Sequence, residues 1–271
     1  RGVGSSLYGA AAVGGSVNLV TGTFNQVEGI SVSSVVGSYG TRKFAAEFNS
    51  GWVRERYQMY GRLSRVTSDG YRDQSWSDLR SYYFGAVRHG RDSSLRLDFF
   101  GGNEKTHFAF FGATKEQLAT NRRANPFSPY DEAKDDFTQP HYQLSHTWQP
   151  VSHLVLTNTL YYIKGDGFFK DQDFNNPDHV RLDHLDISHY GWLPRVAFDH
   201  RGGTLTAGGE LRTNATRHWG EVLGLATVAG SAEGSVRSPR LYDYDADKIT
   251  AGLFAKEVYR VNERLSLNGD L

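Results

Sequence analysis

Apolar and polar residues alternate along most of this chain with a period of two, which is typical of β-strands that have one apolar and one polar face. In the segment 43–49, for example, Phe44, Ala46 and Phe48 alternate with polar residues. The alternation predicts strands at 28–36, 43–49, 57–67, 80–89, 95–99, 140–149, 153–163, 188–200, 204–212 and 247–259. A further strand is predicted to begin near Arg264, and together these segments indicate an all-β protein.

Two residues break this pattern. Pro194 lies inside a predicted strand, although proline has no N–H group to donate to a neighbouring strand. Asn158 is in phase with Leu154, Leu156 and Leu160, on what should be an apolar face. These two exceptions do not change the prediction of strands.

The connections between the predicted strands alternate between short and long. Short turns are predicted at 52–56, 90–93, 150–152, 201–203 and 260–263. Long polar loops are predicted at 67–79, 105–139, 164–187 and 215–245, and only the first connection, 37–42, departs from the alternation. A membrane barrel has short turns on one side and long loops on the other, whereas a soluble sandwich more often has long loops at both ends.

Strand length and aromatic residues fit the same interpretation. The predicted strands run about 9–12 residues, the length that crosses a bilayer at the usual tilt. Tyr and Trp concentrate near the strand ends, at Trp52, Tyr57, Tyr82, Tyr83, Trp148, Tyr161, Tyr162 and Trp192. Such residues form girdles at the headgroup level of membrane barrels, but aromatic residues also favour strands in any protein. The sequence leaves both explanations open.

Charge and composition exclude several classes of protein. The 30 basic and 30 acidic residues give a net charge of zero, whereas nucleic-acid-binding proteins normally have a basic excess. The absence of cysteine excludes a disulfide framework and a thiolate metal site. No segment approaches the roughly 20 apolar residues of a membrane helix. The mean hydropathy of −0.53 is compatible with a membrane barrel, in which apolar residues occupy alternate positions.

The first 21 residues differ from the rest because they are rich in glycine and other small residues. Their pattern combines an Arg-Gly pair, a Ser-x-x-Tyr-Gly step, a Gly-Gly pair and an Asn-x-x-Thr end, and includes Arg1, Gly4, Tyr8, Gly9, Gly14, Gly15 and Asn18. This segment resembles the closing motif of the plug domain in TonB-dependent outer-membrane transporters. Later segments, among them Ser68–Asp73 and Tyr161–Gly167, resemble early barrel strands and loops of siderophore-type members of that family.

The resemblance implies a fold, a transmembrane antiparallel β-barrel of which this chain would contain about the first ten to eleven of twenty-two strands. Residues 1–24 would be the C-terminal end of the plug domain, and residues 25–271 the N-terminal half of the barrel. The chain would then be a fragment of a longer protein.

The resemblance also implies a function, the import of a ferric siderophore or similar iron complex across the outer membrane of a Gram-negative bacterium. The TonB–ExbB–ExbD complex would supply the energy, and the chain would contact outer-membrane lipid and a small iron complex. Neither a nucleic acid, a cofactor, a bound metal nor a catalytic residue is expected. Import of cobalamin or another nutrient is an alternative within the family. A passive porin and a soluble carbohydrate-active β-protein are alternatives outside it, although a porin has no N-terminal plug.

The ligand is expected between the long loops and the plug. Basic residues in these loops lie next to phenylalanines, which suits an anionic iron complex with an aromatic rim. The candidate ligand-binding residues are Phe110, Phe111, Arg122, Arg123, Phe168, Lys170 and His179. A short surface helix with Thr114 as its N-cap is predicted at 114–123 in the same loop.

Other polar residues give weaker signals. His179, His184 and His189 recur at intervals of five, without the spacing that would place two histidines on one helix face, so no metal site is predicted. Carboxylate pairs in the predicted loops are interpreted as solvated rather than catalytic: Asp135 and Asp136, and Asp171 and Asp173.

Overall fold

A computed structural model describes residue 24 and residues 27–172, 179–224 and 240–270 of the chain. These residues form one antiparallel sheet and one short helix, α1 (Lys115–Thr120), which lies between the fifth and sixth strands. The strands are β1 (Glu28–Val36), β2 (Arg42–Ser50), β3 (Tyr57–Ser68), β4 (Ser77–His89), β5 (Ser93–His107), β6 (Lys134–Thr138), β7 (His141–Val151), β8 (Leu154–Gln172), β9 (His179–His200), β10 (Gly203–Gly224), β11 (Arg240–Asn262) and β12 (Leu265–Asp270). Every predicted strand segment is confirmed.

The plug-end motif formed by Arg1, Gly4, Tyr8, Gly9, Gly14, Gly15 and Asn18 lies outside the described residues. The division of the chain into residues 1–24 and 25–271 therefore stays a prediction. Phe24 is described, and it precedes the first strand by only a few residues.

Each strand pairs with the next one along the chain, except that β6 and β7 share one place in the sheet. Both lie between β5 and β8, and they are separated by Gln139 and Pro140. Pro140 lacks a backbone N–H group, so it interrupts the ladder and divides one long strand into two. With β6 and β7 counted once, the path β1-β2-β3-β4-β5-β6-β8-β9-β10-β11-β12 agrees with the prediction of ten to eleven strands.

Cross-strand register collects the apolar residues on one face of the sheet, which we call the apolar face. Leu97 pairs with Leu144, Leu144 with Leu160, Leu160 with Trp192, and Trp192 with Leu211. The side chains of this row are exposed. Because side chains alternate between the two faces of a strand, this register fixes the face of every other residue in the sheet.

The opposite face, which we call the polar face, contains hydrogen-bonded and charged side chains. Ser64 and Ser81 are joined by a hydrogen bond of 2.7 Å, and Arg62 pairs with Glu47 at 3.1 Å. Several buried residues of β2 to β5 belong to this face: Ala45, Asn49, Gln58, Val87 and Asp98. In β2 to β5 the sheet is therefore partly covered on its polar side, while its apolar side is exposed.

Phe24 packs on the polar face just before the first strand. The guanidinium carbon of Arg96 lies 5.2 Å from the centre of the Phe24 ring. A Cβ atom at Gly85 would lie 3.0 Å from the ring, so the absence of a side chain there makes room for it. The chain thus enters the sheet from its polar side.

Both residues that break the alternation have a structural explanation. Asn158 does lie on the apolar face, where its Oδ1 accepts a hydrogen bond of 3.2 Å from Nε1 of Trp192. Pro194 lies where the pairing of β9 with β10 skips from Gly208 to Leu211, so the missing N–H group breaks no ladder bond.

Aromatic side chains form a continuous row across the apolar face. Ring centroids are 4.9 Å apart between Tyr82 and Phe99 and between Phe99 and Tyr142, 5.8 Å between Tyr142 and Tyr162, and 4.6 Å between Tyr162 and Tyr190. Toward the short turns, the apolar face has further exposed aromatic residues, namely Tyr57, Trp148, Phe198 and Tyr259. Tyr83 and Tyr161, which the sequence grouped with these, lie on the polar face instead.

The strands on the long-loop side extend further than predicted. The predicted loops 164–187 and 215–245 are largely strand, because β8 continues to Gln172, β9 starts at His179, and β10 and β11 continue to Gly224 and from Arg240. Both faces of these extensions mix polar and apolar residues, so no regular alternation predicts them. Cross-strand ion pairs stabilise them instead, such as Lys164 with Asp186 and Arg217 with Asp243.

Helix α1 confirms the predicted surface helix. Oγ1 of Thr114 accepts a hydrogen bond of 3.2 Å from the backbone N–H of Gln117, and the Gln117 side chain accepts one of 2.9 Å from the Thr114 N–H. This reciprocal capping box fixes the start of the helix. No helix in the described part of the chain is long or apolar enough to cross a membrane.

The close approach of β6 and β8 predicts the effect of a substitution at Gly167. A Cβ atom there would lie 2.3 Å from the backbone oxygen of Asp136 and 2.7 Å from Cα of Phe137. Gly167→Ala should destabilise the sheet by about 1–3 kcal/mol, measured as a lower midpoint of thermal unfolding by circular dichroism. Gly29→Ala is the matched control, since nothing lies within 4 Å of its Cβ position. Equal midpoints for the two variants would contradict this packing.

Candidate ligand-binding site

Two loops at the same end of the sheet are joined to each other by Arg72. This residue lies in the β3–β4 loop (69–76), and its Nε donates a hydrogen bond of 2.9 Å to the backbone oxygen of Ala124. Its Nη1 donates to the backbone oxygens of Ala109 and of Phe111, the latter at 2.7 Å. All three acceptors belong to the β5–β6 loop (108–133), so one guanidinium group holds two separate stretches of that loop.

Asn125 joins the same two loops from the other side. Its side chain is buried, and its Nδ2 donates hydrogen bonds of 2.8 Å to the backbone oxygens of Phe108 and Asp73. Its Oδ1 accepts a bond of 3.2 Å from the Phe127 N–H. The two loops therefore form one hydrogen-bonded unit, which we call the loop cap.

Phenylalanine side chains pack together inside the loop cap. Phe108 and Phe127 are buried, with ring centroids 5.5 Å apart. Phe110 and Phe111 pack against Phe127 at 4.8 Å and 5.1 Å, yet 66% of Phe110 and 47% of Phe111 remain exposed. The cap thus presents an aromatic surface that is fixed from beneath.

A pocket of about 550 Å³ lies where the loop cap meets the polar face of the sheet. Its lining combines phenylalanine rings with carboxyl groups: Glu104, Thr106, His107, Phe108, Ala109, Phe110, Asp135, Phe169, Asp171 and Asp183. Glu104 also lines a second cavity of about 500 Å³, located further along the polar face between β3 and β7. The two cavities therefore share this lining residue.

Burial raises the pKa of two carboxyl groups of this pocket, Asp135 and Asp171. Desolvation, with smaller contributions from Glu104 and Asp136, raises the pKa of Asp135 to about 6. Its Oδ1 is buried without a hydrogen-bond partner. Desolvation also raises the pKa of Asp171. The sequence interpretation of Asp135 and Asp171 as solvated loop residues is wrong, because both belong to strands and point to the polar face.

Two of the three basic residues predicted to bind the ligand, Arg123 and Lys170, are engaged elsewhere. Nε of Arg123 donates a hydrogen bond of 2.7 Å to the Tyr71 backbone oxygen. Nζ of Lys170 pairs with Glu132 at 2.9 Å. The charges of Arg123 and Lys170 therefore stabilise the loops and strands around the pocket.

The structure separates the predicted ligand-binding residues into different places. Phe110 lines the pocket and Phe111 packs beside it, while Arg122 is exposed on the loop cap. Phe168 and Lys170 share the face of the sheet opposite the pocket, and the neighbouring Phe169 lines the pocket instead. The side chain of His179 lies outside the described residues. None of these placements tests ligand binding itself.

Sequence reasoning missed the polar groups on β9 to β11. Asp183, His218, Tyr242 and Tyr244 form a chain of hydrogen bonds at the long-loop end of the polar face. Within the described ranges, no three or more His, Asp or Glu side chains are grouped so that they could hold a metal ion. The only available signal was the alternation of Tyr242 and Tyr244 in a segment predicted to be a loop.

Comparison with known proteins identifies the fold. The structure is similar to that of the unliganded ferric citrate transporter FecA, with a TM-score of 0.71 and 16% identity over 100% of this chain and 44% of that one. The ferric-catecholate import receptor Fiu from K12 E. coli gives 0.69 and 11% identity, over 94% of this chain and 42% of that one. The copper transporter OprC gives a TM-score of 0.68 and 14% identity, over 90% of this chain and 36% of that one.

These likenesses establish that the sheet has the β-barrel fold of TonB-dependent receptors. The chain spans less than half the length of each of the three proteins. No protein-family model and no curated protein sequence matches the chain.

The contributions of Asp135 and Asp136 to folding stability should change with pH in opposite directions. The pKa of Asp135 is raised, so its protonated form favours folding, and this stability is lost as the pH rises from about 4 through 6. Burial also opposes ionisation of Asp136, but hydrogen bonds from Lys105 and Asn103 outweigh it and lower the pKa of this carboxyl. The stability from Asp136 is therefore present at neutral pH and lost in acid.

Two single variants test this difference. Asp135→Asn should raise the unfolding midpoint at pH 7, and the gain should disappear near pH 4. Asp136→Asn should lower the midpoint at pH 7, with the loss shrinking toward pH 3. Unfolding midpoints measured at several pH values give both results, and parallel curves for the two variants would show that the assignment is wrong.

Proposed function

We propose that this chain is part of an outer-membrane receptor that imports a small iron complex into a Gram-negative bacterium. The observation that supports this best is the asymmetry of the sheet. One face is apolar, exposed and flanked by aromatic residues, and the other is polar and partly covered. Lipid against the apolar face and a water-accessible passage along the polar face would explain this asymmetry.

The height of the apolar face suits a membrane. On β11 the apolar face carries the exposed residues Ile249, Leu253 and Tyr259, and the first and last of these are ten residues apart. At about 3.3 Å per residue this is about 33 Å of strand, and a tilt of about 40° gives a height of about 25 Å. That value matches the apolar band of outer-membrane barrels.

A soluble β-protein would cover such residues. Leu63 and Leu253 are 65% and 92% exposed on the apolar face, and the rows around them are exposed as well. A contiguous apolar surface of this kind marks a lipid or protein contact rather than a water-exposed wall. We therefore set aside the soluble carbohydrate-active alternative.

The polar face would line the passage, and its charges are balanced along most of its height. Arg62 pairs with Glu47, Arg96 with Asp98, and Arg212 with Glu210. Phe24 packs on this face, which supports a plug that is held inside the barrel. The TonB–ExbB–ExbD complex would then act on the plug to open the passage. A passive porin would have no such segment.

The pocket beneath the loop cap is the proposed entry site of the ligand. Three phenylalanine rings and four carboxyl groups line it, while nearby basic residues are engaged in loop contacts. This composition favours a neutral or positively charged iron complex over the anionic complex expected from the sequence. The named cargoes of the similar proteins, ferric citrate, ferric catecholate and copper, show how widely cargo varies in this fold.

Binding and growth measurements test this proposal. The complete receptor, produced in an iron-starved host, should bind a neutral or cationic ferric hydroxamate at least tenfold more tightly than a trianionic ferric catecholate. Growth on the preferred complex should require the receptor and an intact TonB protein. A response to cobalamin or copper, without a response to any iron complex, would contradict the assignment.

Substitutions on neighbouring residues of β8 test which face meets lipid. Leu160 lies on the apolar face, whereas Thr159 lies on the polar face and bonds to Ser145. Leu160→Arg should cost about 2–4 kcal/mol near the middle of the bilayer and reduce the fraction of receptor that folds into lipid vesicles. Thr159→Arg is the matched control and should insert normally. Equal insertion of both variants would refute the assignment of the faces.

A further inference from the structure

Three side chains from three neighbouring strands meet at the long-loop end of the polar face. Oη of Tyr242 donates a hydrogen bond of 2.7 Å to Oδ1 of Asp183 and lies 3.2 Å from Nε2 of His218. Tyr242 belongs to β11, His218 to β10 and Asp183 to β9. The phenol oxygen of Tyr242 therefore contacts both a carboxylate oxygen and an imidazole nitrogen.

Gly220 allows this convergence. In the register of the sheet, Gly220 is the direct partner of Asp183 on one side and of Tyr242 on the other. A Cβ atom at Gly220 would lie 2.4 Å from Cε1 of Tyr242 and 2.8 Å from Oδ1 of Asp183. Asp183 and Tyr242 can meet across the intervening strand only because this position has no side chain.

We propose that Asp183, His218 and Tyr242 form a site that contacts the ferric ion of the imported complex, an inference that rests on the proposed function. Fe³⁺ is a hard cation, and carboxylate and phenolate oxygens are hard ligands. An octahedral ion with bonds of about 2.0–2.1 Å separates neighbouring ligand atoms by about 2.9 Å. The observed separations of 2.7 Å and 3.2 Å bracket this value.

Tyr244 supports the site from behind. Its Oη lies 2.7 Å from Nδ1 of His218, the ring nitrogen on the opposite side from Nε2. When Nδ1 carries the proton and donates it to Tyr244, Nε2 is left free to bind a metal ion. A partner on the second ring nitrogen is the usual way in which a protein orients a metal-binding histidine.

The location of the triad connects it to the pocket. Asp183 also lines the 550 Å³ pocket, together with Phe108, Phe110 and Phe169. Nη2 of Arg181 lies 3.2 Å from both carboxylate oxygens of Asp183 and fixes the orientation of that group. The rings would contact the organic part of the complex while the triad contacts its iron. The three protein ligands would replace three donor atoms of the chelator or of bound water, and the chelator would stay attached through the remaining half of the octahedral shell.

Binding of the ion exchanges one proton. Fe³⁺ replaces the hydrogen of the Tyr242 phenol, which is released to solvent, while Asp183 binds as a carboxylate and His218 as a neutral imidazole. Binding to this site should therefore become tighter as the pH rises. No electron is transferred, and the iron remains ferric.

The test uses the coordination of iron by tyrosine, which produces a visible charge-transfer absorption. The complete purified receptor is titrated with ferric nitrilotriacetate, and the absorption of the complex is recorded. The native receptor should develop the band with one ferric ion bound per triad. Tyr242→Phe should abolish the band without changing the thermal unfolding midpoint by more than a few degrees.

Two further variants separate this site from unspecific binding. Tyr244→Phe should keep the band and weaken iron binding by roughly 10–100-fold, since it removes only the support of His218. Gly220→Ala should abolish the band by displacing Tyr242. A band that persists in Tyr242→Phe would overturn the proposal.

Two other outcomes would show whether only the iron site is wrong or the proposed function is wrong as well. A native receptor that transports ferric complexes but shows no band, or that binds Cu²⁺ here in place of Fe³⁺, would refute the iron site and leave the importer intact. A native receptor with neither a band nor any binding of ferric complexes would refute both.

Discussion

Backbone hydrogen bonding is the constraint on which the whole structure depends. In a hydrocarbon layer every N–H and C=O group must be paired within the protein, and a sheet can satisfy this only through continuous pairing between neighbouring strands. The described strands meet that demand with an uninterrupted antiparallel path from β1 to β12. The same pairing fixes the register, and the register collects the leucines of the apolar face into rows such as Leu97, Leu144, Leu160 and Leu211.

The proposed ligand-binding region lies beyond the part of the sheet that would be surrounded by lipid. Beyond the aromatic row of Tyr142, Tyr162 and Tyr190, the strands continue with polar and apolar residues mixed on both faces, and salt bridges join neighbouring strands. On one side Arg72 and Asn125 join two loops into a cap, and on the other Gly220 brings Asp183 and Tyr242 together. The pocket lies between the loop cap and the Asp183–Tyr242 contact, on the face that would line the passage.

The sequence predicts the part of the fold in which apolar residues alternate. β1 and the short turns follow directly from that pattern, and the capping box of Thr114 identifies α1. The extensions of β8 to β11 could not be predicted, because polar and apolar residues are mixed on both of their faces and leave no period that distinguishes them from loops. Composition alone predicts Phe168 and Lys170 as ligand-binding residues within such an extension. Only the strand register shows which side chains there face the pocket. The meeting of Asp183 with Tyr242 depends on pairing between residues far apart in the chain, and no local pattern contains it.

Spin-label accessibility along β11 tests the central claim most directly. The chain has no cysteine, so single cysteines from position 249 to 259 can be labelled one at a time in the complete receptor reconstituted in lipid, with any cysteine elsewhere in that protein replaced. Collisions with oxygen, which dissolves in lipid, should peak at Ile249, Leu253 and Tyr259, and collisions with a water-soluble nickel chelate should not. Accessibility to both reagents without a period of two, or protection of both faces by protein, would contradict the account.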